Sequence, residues 1–123
     1  MSFTREFIDL GDWVHVVTKG SVDSPDELVE KLRQGLEKMS EIGHKRAFVD
    51  DRDVKVNLDV YDLTVGAEMM SEQGFPLLGL RVACMCHPED RELYRAVETV
   101  YRNRSMIYRV FDDEEEAVTW LER

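Results

Sequence analysis

Apolar positions recur along this chain with two periods, and the switches between them mark its elements. In "REFIDLGDWVHVVTKG" Val14 and Val16 alternate with Trp13, His15 and Val17 after Leu10-Gly11-Asp12, which predicts two short strands in an antiparallel hairpin. The period then lengthens. In "DSPDELVEKLRQGLEKM" Ser24 stands at an N-cap, Pro25 at the first helical position and Glu27 three residues past the cap, so two orphan amides can be satisfied reciprocally. Leu28, Leu32, Leu36 and Met39 form the inward stripe, and Gly43 ends it.

"RAFVD" is a short apolar run bounded by charge, as expected of a strand covered on both faces. The strand is expected to end at Asp50, with Asp51 to Asp53 in a solvated turn around Arg52. A second helix starts at Asn57 or Asp59, turns Leu63, Ala67 and Met70 inward, and closes near Gly74-Phe75-Pro76. "GLRVACMC" is the next strand. Pro88 opens a third helix, with Glu89 and Asp90 at its positive end, Leu93, Ala96 or Val97 and Val100 facing inward, and Arg102 and Arg104 at its negative end. "MIYRVF" is a last strand, and Asp112 caps a terminal helix burying Ala117, Val118 and Leu121. The order β-β-α-β-α-β-α-β-α predicts one α/β domain over residues 1–123, with a mixed, mostly parallel sheet and an antiparallel edge.

Charge narrows the partners. With 16 basic and 26 acidic residues the net charge is -10, which disfavours nucleic acid and anionic membranes and favours a basic or neutral protein. No apolar run nears the ~20 residues that span a bilayer, and "MSFTREFIDLG" lacks the regions of a signal peptide, so a cytoplasmic location is expected. Cys84 and Cys86, one residue apart on a strand, are expected as reduced thiols.

Ligands of open α/β sheets bind beyond the carboxyl ends of the strands. That edge should carry Asp50, Asp51, Arg52, Asp53, Asp59 and His87, the candidate partner- or ligand-binding residues. A receiver-type phosphoacceptor site would have its acids in Asp50 and Asp51, but the required hydroxyl and lysine do not follow the later strands. Cys84, Cys86 and His87 are spaced too closely for a structural zinc site and have no second ligand pair, so no metal and no cofactor are expected. Cys86 and His87, pointing to opposite sides, make a poor nucleophilic dyad; His15 and His44 suit ordinary half-buried or surface roles. The acids of "DDEEE" belong to a helix's first turn. "MMSEQGFPLLGL" offers a candidate apolar groove in Met69, Met70, Phe75, Leu77 and Leu78. An empty cavity of about 300 Å³ would cost about 7 kcal/mol at about 24 cal/mol per Å³, comparable to a domain's whole stability. Core or homodimer contact is therefore the expected use of these side chains.

The opening hairpin, the alternating strands and helices, the central "FVDDR" and the closing "VFDDEEEAVTWL" together resemble the SpoIIAA-like branch of STAS domains, from about Phe7 to Leu121. The resemblance implies a β-α superhelix that binds a protein or small ligand without turnover: a bacterial regulatory module. It also implies larger relatives among the lipid-binding CRAL-TRIO domains, which keeps a small-molecule or lipid carrier as the alternative. In that family the phosphorylated Ser or Thr precedes a glycine at the start of the helix after the central strand. Here "VNLDVYDLTVG" puts Asp59 near that place and Thr64 a turn later, so the standard switch is expected to be absent. Asp59 would then serve as a helix cap, with imitation of a phosphate as the second option.

Overall fold

Two adjacent strands begin the chain, β1 (Phe3–Asp9) and β2 (Val14–Val22), paired antiparallel from Phe3↔Gly20 to Asp9↔Val14. The computed structural model describes residues 2–73, 79–103 and 106–123, without the side chains at 71 and 73. Gly20 is required where it stands: its φ is +108°, and an added Cβ would clash with the Ser2 carbonyl oxygen.

Helix α1 (Pro25–Ile42) follows, with the Ser24 side chain accepting from the Glu27 amide at 3.2 Å. The Glu27 carboxylate reaches back to the Asp23 amide, one residue earlier than a standard capping box, and also to the Ser2 amide, which ties the chain's start to the helix. Gly43 ends α1 in the left-handed conformation, its amide returning to the Met39 carbonyl. Then come β3 (Arg46–Val56), α2 (Val60–Gln73), β4 (Arg81–Cys86), a short 3₁₀ turn (Pro88–Asp90), α3 (Arg91–Arg102), β5 (Ile107–Val110) and α4 (Glu114–Glu122). The sheet order is β1-β2-β3-β4-β5, parallel from β2 onward, so the expected mixed sheet with an antiparallel edge is what forms.

Helices divide unequally between the faces. Three crossovers that step the same way across a sheet put α1, α2 and α3 on one face, over a core that includes Val14, Val16, Val22, Val49, Val54, Leu63, Val82 and Tyr108. Among the described helices α4 alone packs on the other face, burying Ala117, Trp120 and Leu121 against Phe48, Ala83, Met85 and Phe111. The last turn of α4 holds no basic residue. Arg46 donates instead to the carbonyls of Leu121 and Arg123, and Arg81 to that of Trp120 while lying over the indole at 4.3 Å.

Several boundaries differ from the sequence reading. The cap of α4 is Asp113, whose side chain accepts from the Glu116 amide, and Asp112 instead pairs with Arg91 at 2.7 Å. A 3₁₀ turn takes up Pro88 to Asp90 before α3, and its buried stripe is Tyr94, Val97 and Tyr101, with Leu93, Ala96 and Val100 flanking it. On α4 Trp120 joins Ala117 and Leu121 in the core, and Val118 packs against it half-buried.

The largest correction concerns β3, which runs to Val56 instead of ending at Asp50. Between Val17/Asp50 and Lys19/Asp53 the register slips, two β3 residues opposing Thr18 in a β-bulge. Inward positions are Ala47 and Val49 before it, Asp51 within it and Val54 after it. The strand changes parity at the aspartates.

Candidate functional site

The bulge assembles a polar row inside an apolar interface. Arg5 stands opposite Thr18 across β1 and β2, the bulge brings Asp51 level with Thr18, and Cys86 faces Asp51 from β4. All lie under the three helices. Asp51 is fully buried, not part of a solvated turn. From α1 the Lys31 ammonium donates to Asp51 Oδ2 at 2.6 Å, and from α3 the Tyr94 hydroxyl donates to the same oxygen at 2.8 Å. Asp51 Oδ1 accepts no hydrogen bond among the described residues. Arg5 completes the row, donating from Nε to Thr18 Oγ1 at 3.1 Å and from Nη1 to the Lys31 carbonyl at 2.9 Å.

Burial by itself would push the Asp51 carboxyl up. The charges of Lys31 and Arg5 outweigh that and hold it below the ordinary aspartate value, so it is an anion at neutral pH. The same burial, reinforced by the Asp51 charge, keeps Tyr94 protonated and raises Cys84 far above the usual thiol range. Cys86, half-buried, is pushed up to about 11, by burial first and then by Asp90 and Asp51. Neither thiol is an activated nucleophile.

The other side of β3 carries a different set. Asp50 is gripped by Arg52, which donates from Nε at 2.9 Å and Nη2 at 2.8 Å, a fork that lowers the Asp50 carboxyl. Arg52 also approaches Glu114 at 3.5 Å. At the carboxyl edge Arg52, Asp53, Lys55 and His87 share a surface cleft of about 290 Å³ with Glu89 and Asp90. His87 Nδ1 accepts from the Glu89 amide at 3.1 Å, which leaves the proton of the neutral ring on Nε2. Of the predicted set, the structure thus brings together Arg52, Asp53 and His87 and turns Asp51 away from them.

Asp59 lies at the start of α2. Its carboxylate accepts from the Asp62 amide at 2.9 Å, and the Asp62 carboxylate accepts from the Asp59 amide at 3.0 Å, so the two acids close the helix end reciprocally. Between them Val60 and Tyr61 are 67% and 73% exposed. Asp23, held by Asn57 at 2.6 Å, lies alongside.

Cys84 and Cys86 share the helical side of β4, whereas Asp50 is on the α4 side of β3. Among the described residues no three His, Cys, Asp or Glu side chains converge as metal ligands. Of the expected apolar groove, Met70 is buried in the core and Met69 packs against it, while Phe75, Leu77 and Leu78 lie outside the described residues. His44 pairs with Asp9 at 2.9 Å, and His15 meets Phe48 edge-on at 5.3 Å.

The sequence reading missed Arg5, Thr18, Lys31 and Tyr94. A signal for the first two was present: Arg5 has the same parity as Phe3 and Phe7, and Thr18 the same as Val14 and Val16, so period-two counting puts both on the apolar face.

No family model matches the chain, and no curated protein does. Solved structures do. An anti-sigma factor antagonist from Mycobacterium paratuberculosis superposes with a TM-score of 0.60 at 11% identity, covering 99% of this chain and 96% of its own. A DUF3478-family protein with a SpoIIAA-like fold from Shewanella loihica gives 0.52 at 15% identity, covering 98% and 94%. The fold is SpoIIAA-like. In SpoIIAA-like terms the chain keeps the sheet and crossovers across almost its full length, at identities where the fold alone is shared. No helix among the described residues is long and apolar enough to cross a membrane.

Proposed function

We propose that this chain is a non-enzymatic, STAS-type regulatory module that docks a protein partner at the carboxyl edge of its sheet, centred on the first turn of α2. The observation that carries this reading is the exposure of Val60 and Tyr61 while Leu63, Ala67 and Met70 of the same helix are buried. A solvent-facing aliphatic and aromatic pair is an apolar centre, and Asp59, Asp62 and Asp23 give it an acidic rim. Such a surface fits a partner with an apolar patch edged by Lys or Arg, and the net charge of -10 favours that encounter. The anti-sigma factor antagonist of the same fold lends support to a protein partner.

Asp59 stands near the place where the resemblance puts a phosphorylated hydroxyl, and its Oδ1 caps the helix through the Asp62 amide. Thr64, the next hydroxyl, donates to the Val60 carbonyl at 3.2 Å. On this reading docking is not switched by phosphorylation at that position. A lipid carrier is the weaker reading, because the cavity under the helices measures about 70 Å³, far short of an acyl chain. Leaving it empty costs about 2 kcal/mol at about 24 cal/mol per Å³, which a domain can bear.

A photo-crosslinking amino acid at position 61 tests the docking surface, with Glu41, exposed near the far end of α1, as the control position. A discrete protein adduct from position 61, weakened by Asp53→Lys, is the expected result. No adduct, or equal adducts from both positions, would refute it.

A further inference from the structure

The cavity of about 70 Å³ under the three helices has an asymmetric wall. Most of its lining is aliphatic or aromatic, including Val16, Leu36, Val49 and Tyr101, and its charged members are Arg5 and Lys31. Lys31 is engaged by Asp51 behind it. Arg5 forms no ion pair with any described residue: its contacts are the Thr18 hydroxyl, the Lys31 carbonyl and the Phe7 ring. Two cations thus serve one buried carboxylate, and Arg5, acting on Asp51 only at a distance, is left at the edge of an apolar cavity with no ion-pair partner among the described residues.

The route to that charge is also built. Arg5, Phe7, Gly35 and Leu36 are the half-exposed lining residues along the seam between β1 and α1. Gly35 sits in the interior of α1, where glycine weakens a helix. A Cβ there would come within 3.2 Å of Arg5 Nη1, so the glycine keeps space beside the guanidinium.

We propose that this cavity binds a small straight-chain monocarboxylate, its carboxylate on Arg5 at the β1–α1 seam and its tail in the apolar interior. Size sets the tail length. The volume is about half the ~150 Å³ of an apolar cavity that takes benzene, so about three tail carbons fit, as in butyrate. This site is separate from the docking edge, and the crosslinking result at position 61 has no bearing on it.

Titration calorimetry of the whole chain with sodium butyrate, acetate and n-butanol tests the proposal. Butyrate is expected to bind one-to-one with a Kd on the order of 1 mM or tighter. Acetate, two methylenes shorter, should bind about fifteenfold more weakly at about 0.8 kcal/mol per methylene. Butanol, which keeps the tail and loses the charge, should bind at least about tenfold more weakly, as charge-assisted bonds are lost. Arg5→Gln should lose butyrate to the same degree while its thermal melt shows it folded. Absence of saturation by about 10 mM butyrate would overturn the proposal. So would butanol or acetate matching butyrate, or a folded Arg5→Gln binding like the native chain; the ligand series decides the matter even if that variant does not fold.

Discussion

Removing Lys31 should destabilise this protein far more than removing the carboxylate it serves. The ammonium lies 2.6 Å from Asp51 Oδ2, with Asp51 fully buried and the Lys31 side chain 13% exposed. At an effective dielectric of about 20 such a pair has about 6 kcal/mol of gross attraction, most of it offset by desolvation. Lys31→Met leaves the carboxylate buried with Tyr94 and the more distant Arg5. The expected cost is about 3–5 kcal/mol, a fall in Tm of about 10–20 °C for a chain of this size. Asp51→Asn keeps a polar group for Tyr94 and lets Lys31 lean toward solvent, so about 1–3 kcal/mol is expected. The double variant should recover at least about 2 kcal/mol of the sum of the two costs. Urea denaturation followed by circular dichroism measures all three, with m unchanged across the set.

The pH dependence gives an independent sign. In the native protein the folded Asp51 pKa is depressed, so its contribution is present above the unfolded value near 3.8 and is lost as pH falls through the folded pKa. In Lys31→Met burial dominates and the folded pKa rises above the unfolded one. That variant should gain stability relative to the native chain on acidification from pH 7 toward 4. Additive single variants, a Lys31→Met cost below about 1 kcal/mol, or parallel pH profiles would refute the reasoning.

Asp59→Ala removes the acceptor for the Asp62 amide and should cost about 1 kcal/mol in urea denaturation; an unchanged midpoint would show that the cap contributes nothing. Cys86, its thiol pushed up to about 11, should react with iodoacetamide at pH 8 on the order of a hundredfold more slowly than a free cysteine, and Cys84 only upon unfolding. Mass spectrometry of the alkylated protein distinguishes the two sites, and fast labelling of Cys84 in the folded chain would contradict its burial.

The local signals carried over well where the physics is local. Ser24 and Gly43 start and stop α1 through bonds to residues at most four positions away, and Pro25 suits the first turn because no donor is needed there, so their roles are readable from spacing. Asp59 and Asp62 act across three residues in the same way. The stripe of α3 was harder: tyrosine suits surface or core, and only packing against β5 shows Tyr101 edge-on to Tyr108 at 4.9 Å. Arg5 and Thr18 were visible as polar residues at inward parity, but parity alone does not say which polar group will find a partner.

The element order is legible along the chain, and with it the sheet, since helix-length connections between strands admit one handedness and a parallel layer. The fate of the aspartates depends on packing between distant segments. The strand reads as ending at Asp50, with Asp51 to Asp53 in a turn, because the apolar run stops at charge; the strand in fact continues through a β-bulge to Val56. A bulge exists only relative to the neighbouring strand that it slips against. The ion pair that makes a buried Asp51 tolerable comes from Lys31, 20 residues away on a helix brought over the sheet by folding.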